Sequence, residues 1–249
     1  MLPATTVAAG ASQAYSVQGF DSYGNGVATG SFTLTIAPDG SCTNGCSATK
    51  AGPHTVTATA EGKTASASLT VNAGPLARVI VSPGSSTLAV HQTQVFTAAG
   101  ADAYGNPVSI GTPTWSVTSG TPGAISPTTG ASTTFKASDS STGTGSVKAV
   151  VSGISGTAAV TVIPATPTNL TATVKNSKVN LAWHGSAGAQ TYSVYRGTTT
   201  SNAVLIKSGL TPTSFSDAPG SGTYDYYVVA VGSTGLPSAA SNTISASVQ

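Results

Sequence analysis

The stretch Asp21-Ser22-Tyr23-Gly24-Asn25 returns 81 residues later as Asp102-Ala103-Tyr104-Gly105-Asn106. The residues before it repeat at the same offset, so that the segment 6–15 aligns with the segment 87–96. A repeat of this length exceeds the roughly 20–50 residues of solenoid repeats and suits a small β-sandwich. The sequence therefore predicts an array of domains.

Composition favours an all-β chain. The usual helix formers are scarce apart from Ala, with one methionine in 249 residues, and Thr, Ser, Val and Gly are abundant. β-Branched residues at alternate positions suit a pleated surface. The length allows two or three domains, and the repeat favours three of about 80 residues each. We expect three tandem β-sandwiches of the immunoglobulin or fibronectin type III kind.

Periodicity and linker composition set the domain boundaries. We expect domains at residues 1–73, 76–163 and 166–249, separated by the Pro-containing linkers Ala73-Gly74-Pro75 and Pro164-Ala165-Thr166-Pro167. Alternation of apolar and polar residues predicts strands in domain one at 12–19, 31–36, 54–60 and 64–71, and a matching terminal hairpin in domain two at 146–152 and 157–162.

The first strand of domain one is missing from the repeat. Domain two opens on Ala77-Arg78-Val79-Ile80-Val81, whereas Met1 already aligns with Ser82. Two explanations remain open. Either the sequence begins inside the domain, or a neighbouring chain supplies the strand by pairing on an open sheet edge.

The two cysteines flank a turn signal in Ser41-Cys42-Thr43-Asn44-Gly45-Cys46. Because Asn-Gly favours a tight hairpin, Cys42 and Cys46 can face each other and form a disulfide. Free thiols and a metal site are the alternatives, the latter with His54 as the nearest further ligand. A disulfide implies an oxidising compartment.

Charge excludes several classes of partner. Charged residues make up 6% of the chain, with 9 basic and 7 acidic side chains scattered along it. This lacks the basic footprint of nucleic-acid binding. No run of apolar residues is long enough to predict a membrane span. A neutral surface rich in hydroxyl groups favours an extracellular or cell-surface location, with a virus particle as the alternative.

Both repeat turns resemble the Asp-x-x-Gly-Asn-Pro-Val turn of bacterial immunoglobulin-like domains of the invasin/intimin group. Ala51-Gly52-Pro53-His54-Thr55-Val56 is similar to a strand of the same domains. The last third resembles a fibronectin type III domain, with Trp183 as its core tryptophan and Tyr224 as its corner tyrosine. The resemblance implies a spacer, stalk or adhesive repeat.

The turns also hold candidate calcium ligands. Side-chain oxygens of Asp21, Asn25, Asp102 and Asn106 could bind Ca²⁺. Since each turn offers one carboxylate, we prefer the interpretation in which the Asp accepts hydrogen bonds from the turn backbone. Tyr23 and Tyr104 of these turns either cover the end of a sandwich or stack on a sugar.

Catalysis requires titratable groups that converge. His54, His91 and His184 fall in three different domains and are interpreted as lone surface or edge histidines. We therefore expect no enzyme, no catalytic residue and no cofactor.

The predicted function is a non-catalytic structural, spacer or adhesion array of a larger surface or secreted protein. Its expected partners are protein or glycan surfaces, or copies of itself, without nucleic acid or membrane insertion. The alternatives are a self-assembling filament or phage virion appendage, and carbohydrate-binding accessory modules of a secreted hydrolase.

Overall fold

A computed structural model describes residues 5–249, and nearly all of its regular structure is β-strand. Within this range the one helical element is a 3₁₀ turn at Thr200–Asn202. The strands form tandem sandwiches, which confirms the predicted fold class. No helix in the described range is long and apolar enough to span a membrane.

The first sandwich pairs a four-stranded sheet, in the order β1-β9-β8-β5, with a small three-stranded sheet, β2-β7-β6, and a short β3-β4 ladder. Its strands are β1 Thr5–Ala8, β2 Ser12–Gln13, β3 Gly19–Phe20, β4 Gly26–Val27, β5 Thr33–Ala37, β6 Ser41–Cys42, β7 Cys46–Ser47, β8 Gly52–Ala60 and β9 Lys63–Asn72. Alternate residues of β8 and β9 point inward, so that Val56, Leu69 and Val71 are fully buried.

The middle sandwich repeats this plan. Its sheets have the orders β10-β12-β16-β15, with β13 on β12, and β11-β18-β17-β14. The strands are β10 Arg78–Ser82, β11 Ser85–Ala89, β12 Thr93–Ala101, β13 Pro107–Val108, β14 Thr114–Val117, β15 Gly123–Ser126, β16 Ser132–Ala137, β17 Gly143–Val151 and β18 Ile154–Ile163. β11 runs parallel to β18 as β1 does to β9, which extends the repeat to the pairing of strands.

Strand register places Trp115 opposite Ala149 in the middle sandwich and Leu34 opposite Ala58 in the first. Trp115 is therefore the counterpart of Leu34. Trp115 is buried and its indole N–H donates to the carbonyl of Gly130 at 2.8 Å, whereas Phe32 is exposed and lies outside β5.

The third sandwich has sheets β19-β20-β23 and β22-β21-β24-β25, with β26 on β24. Its strands are β19 Thr168–Lys175, β20 Lys178–His184, β21 Thr191–Gly197, β22 Val204–Leu210, β23 Ser214–Asp217, β24 Gly222–Val231, β25 Pro237–Ala240 and β26 Ile244–Val248. Trp183 packs edge-on against Tyr192 in its core. The hydroxyl of Tyr224 donates to the carbonyl of Pro219, five residues upstream, as in the corner of fibronectin-like sandwiches.

The buried hydroxyl of Tyr226 in this core is hydrogen-bonded to a carboxylate. The Tyr226 hydroxyl donates to Asp217 at 2.8 Å, and Arg196 donates to the same carboxylate oxygen at 2.8 Å. Burial, and next the bond to Asp217, raise the pKa of Tyr226 above its ordinary value. The phenol therefore stays neutral and remains a donor.

The chain divides into two compact units. One contains the residues up to Ile80 together with Ala99–Gly111, and the other contains Val81–Ala98 and Thr112–Gln249. The division runs through the middle sandwich because a segment of it associates with the first. The three domain boundaries drawn from the sequence thus stay a prediction.

The strand predicted at residues 12–19 is wrong as a continuous element. Only β2 and β3 are regular there, and residues 14–18 lie outside any ladder. Its counterpart β12 is unbroken and has β10 beside it. The counterpart of β10 would fall at Met1 and before it, outside the described residues, so 14–18 have no partner strand among residues 5–249.

A disulfide joins Cys42 to Cys46 at the tip of β6 and β7. Strand register makes these two cysteines the counterparts of Ile125 and Phe135, which pair across β15 and β16. Cys46 and Phe135 are both fully buried. The small sheet of the first sandwich therefore uses a covalent bond where the middle sandwich uses an apolar pair.

We expect Cys42→Ala/Cys46→Ala to destabilise the first sandwich by about 1–2 kcal/mol, because the short loop gains entropy in the unfolded chain. Calorimetric unfolding with and without reductant checks this. Reductant should lower one transition of the native chain and none of the double variant. A native chain insensitive to reductant would contradict the expectation.

Candidate functional site at a domain junction

The two repeat turns share one internal geometry. In the second turn, Oδ1 of Asp102 accepts the backbone N–H groups of Tyr104 and Asn106, both at 2.9 Å, and Oδ2 accepts the side-chain amide of Asn106 at 2.8 Å. Asp21 accepts the same three donors in the first turn at 2.8–2.9 Å. Gly105 has φ +89°, which a glycine adopts at no steric cost. The residue pattern that the two turns share thus produces the same hydrogen-bonded loop in both.

Within residues 5–249, the second turn alone forms hydrogen bonds to another sandwich. The side chain of Asn106 accepts the N–H of Ala51 at 2.8 Å and donates to the carbonyl of Thr49 at 2.7 Å. Oδ2 of Asp102 also accepts the N–H of Gly74, in the linker, at 2.8 Å. Three hydrogen bonds therefore connect the turn to the end of the first sandwich and to the segment that leaves it. We call this set the junction clamp.

The two turns differ in how far their side chains are buried. Asp102 is 1% exposed and Asn106 is 7% exposed, whereas Asp21 and Asn25 are exposed. A net stability gain from hydrogen bonds is largest where water is excluded, because a broken bond there leaves an unpaired group. The same five-residue turn is thus a solvated loop in one sandwich and a buried joint in the other.

Tyr104 adds a steric element to the clamp. Its ring lies against Gly10, where a side chain would collide with the hydroxyl and the adjacent ring carbons. Gly10 itself has φ +81°. Two roles were considered for the turn tyrosines, covering a sandwich end or stacking on a sugar. Tyr104 covers the end of the first sandwich. Tyr23 is 89% exposed and covers nothing comparable.

The hydrogen bonds control the charge of the clamp. Burial by itself raises the pKa of Asp102, yet hydrogen bonds from Asn106, Gly74 and Tyr104 outweigh it and lower the pKa from 3.8 to about 2. In the first turn, hydrogen bonds led by the Asn25 side chain lower the pKa of Asp21. Asp102 is therefore ionised at any ordinary pH and accepts N–H donors on both oxygens.

The turns do not bring the four calcium candidates together. Asp21 and Asn25 lie in one turn, and Asp102 and Asn106 in the other. Both oxygens of each carboxylate already accept N–H groups, and the residues from 5 onward contain no group of three His, Cys, Asp or Glu side chains that could hold a metal ion. The geometry favours the hydrogen-bonded interpretation of the turns.

A second junction links the middle and third sandwiches. The N–H of Ala165 donates to the carbonyl of Ala187 at 3.0 Å. Thr142 is buried against Gly188 and Gly232, at positions where a β-carbon would come within contact of its side chain. Its hydroxyl has no hydrogen-bond partner in the described part of the chain. Small residues here permit close approach of the two sandwiches.

The three histidines lie apart, each with a local partner. His54 bonds Asp39 at 2.9 Å, His91 bonds Asp139 at 2.9 Å, and His184 bonds Asn169 at 3.1 Å. His54 is 4% exposed, so its interpretation as a surface or edge residue is wrong. It is buried because β8 turns alternate residues inward, and Asp39 with the carbonyl of Gly52 satisfies its ring.

Sequence reasoning missed the partners of the clamp. Neither Gly10 nor Thr49 carries a chemical signature, and the bonds to Thr49, Ala51 and Gly74 use backbone groups that any residue but proline offers. The repeat itself was the only usable signal, because it marked the turn at the edge of each sandwich.

No protein-family model and no curated protein matches the chain. Among solved structures, an Fn3-like protein from Clostridium thermocellum is 28% identical over 32% of this chain and 86% of its own, with a TM-score of 0.30. Domains 4–9 of surface layer protein SbsC are 14% identical over 95% of this chain and 42% of theirs, with a TM-score of 0.31. Pectate lyase PelI from Erwinia chrysanthemi is 25% identical over 31% of this chain and 26% of its own, with a TM-score of 0.27. The chain thus spans less than half the length of the last two.

We expect Asn106→Ala to weaken the junction by about 1–2 kcal/mol, because it removes two hydrogen bonds to the first sandwich. Amide exchange by NMR reads this directly, since the Ala51 N–H should exchange about tenfold faster. Asn25→Ala is the matched control. It removes the same bond within a turn but none to Ala51, and should leave that amide unchanged.

Acid should loosen the clamp in a defined window. Because the folded-state pKa of Asp102 is lowered to about 2, its contribution to stability is complete above 3.8 and is lost as pH falls toward 2. A carboxyl ¹³C titration should give a midpoint near 2, and the stability gap between the native chain and Asp102→Asn should shrink across that window. A midpoint at 3.8 would refute this.

Proposed function

We propose that this chain is a non-catalytic structural array of a larger surface or secreted protein, in which fixed joints hold successive sandwiches as a spacer or adhesive segment. It is similar in its first two repeats to the invasin/intimin group and in its last third to fibronectin type III domains. The observation that carries the proposal is the junction clamp formed by Asp102 and Asn106.

The clamp resists bending because its hydrogen bonds reach two separate segments and the Tyr104 ring packs on a third. Asn106 holds Thr49 and Ala51, Asp102 holds the linker at Gly74, and Tyr104 lies on Gly10. A flexible tether would leave its linker amides to water. Here the linker donates to a buried carboxylate, and opening the joint would leave that charge without one of its donors.

The second junction supports the same role by packing. Thr142 fits against two glycines of the third sandwich, and the linker amide of Ala165 is bonded to Ala187. Side-chain bulk at Gly188 or Gly232 would separate the surfaces. Both joints thus involve linker backbone groups in hydrogen bonds.

An extracellular location fits the chemistry of the first sandwich. A disulfide at Cys42 and Cys46 persists in oxidising surroundings, and the surface depends on hydroxyl and amide groups with few charges. Protein or glycan surfaces, or further copies of the chain, are the proposed partners.

Pulsed electron–electron double resonance on the full chain tests the fixed joint. Spin labels at Ser68→Cys and Thr157→Cys, both exposed on outer strand faces, are introduced with no free cysteine competing among residues 5–249. We expect one narrow distance distribution, a broad one after Asn106→Ala, and a narrow one after Asn25→Ala. A broad distribution in the native chain would reject the proposal.

A further inference from the structure

The first sandwich has the same surface that the middle sandwich uses to hold its neighbour, and none of residues 5–249 fills it. This surface consists of the turn at residues 21–25 and the irregular edge at 14–18, and we call it the open docking face. In the middle sandwich the corresponding turn holds the end of the first sandwich, and the corresponding edge holds β10.

The turn of the open docking face is already in its bonded shape. Asp21 and Asn25 repeat the internal hydrogen bonds of Asp102 and Asn106 to within about 0.1 Å. Oδ2 of Asp21 accepts only Asn25 among the described residues, whereas Oδ2 of Asp102 accepts the linker N–H as well. The loop needs no reorganisation to bind, which keeps the entropic cost of docking low.

Exposed apolar side chains surround this turn. Phe20 is 62% exposed, Tyr23 is 89% exposed and Val27 is 44% exposed. The counterpart of Phe20 is Ala101, which is 3% exposed beside the filled clamp. Three large apolar groups exposed around one turn mark a candidate interaction site.

No strand among residues 5–249 covers the adjacent edge. β10 covers the same edge in the middle sandwich, with Val79 and Val81 buried and Arg78 and Ile80 outward. In the first sandwich a cleft of about 410 Å³ lies there instead, lined by Val17, Phe20, Val27 and Ala58 among others. A strand with alternate apolar residues offers the side chains and backbone groups that this edge lacks.

We propose that the open docking face binds the carboxyl-terminal end of another sandwich of this repeat type together with the strand that leaves it. Asn25 takes a backbone carbonyl and N–H two residues apart, as Asn106 takes Thr49 and Ala51. Asp21 takes a linker N–H, and Tyr23 lies on a glycine like Gly10. This rests on the proposed function and extends its joint to a second place on the chain.

A chain extended by one repeat tests the inference. Residues 1–81 are duplicated ahead of Met1, so that Val81 of the added copy precedes Met1 in the repeat register. The native chain remains whole within it. Amide exchange is measured at Ala51 of the added copy and at residues 14–18 of the original first sandwich, with and without Asn25→Ala.

We expect residues 14–18 to exchange about tenfold more slowly in the extended chain, and Asn25→Ala to speed exchange of the added Ala51 by about tenfold. Asn106→Ala serves as the reference, acting on Ala51 of the original copy. If Asn106→Ala keeps its effect while Asn25→Ala has none and 14–18 gain no protection, the docking proposal is overturned and the proposed function stands. If Asn106→Ala also has no effect, the joint itself is overturned.

Discussion

A carboxylate that leaves water needs hydrogen-bond donors on both oxygens, and Asp102 obtains four. Tyr104 and Asn106 supply three of them within the turn, and Gly74 supplies the fourth from the linker. Because that last donor belongs to the segment between two sandwiches, satisfying one buried charge also holds this segment against the turn. Stability of the turn and order of the linker at Gly74 are therefore coupled.

The first two sandwiches meet the same demand for a closed core by different means. The middle one has an unbroken β12 with β10 beside it and the pair Ile125 and Phe135 across β15 and β16. The first has shorter strands at those places and a disulfide between Cys42 and Cys46. A covalent link in so small a sheet compensates for apolar contacts that its short hairpin cannot make.

Repeat offset and alternation predicted the strand-rich sandwiches and the terminal hairpins, because both depend on local pattern. They could not predict the junction clamp, since the turns of Asp21 and Asp102 are nearly identical in sequence and differ only in what faces them. They overpredicted a strand at 12–19 for a related reason. Alternation marks residues able to form a strand, and whether they do depends on a partner strand elsewhere in the chain.

The clamp joins unlike surfaces, a turn on one sandwich and a backbone edge on the next. Contacts of this kind are heterologous, so they give the array a direction and cannot close into a symmetric pair. Because the interface is carried by the repeat itself, duplication of a repeat with both surfaces reproduces the interface without redesign.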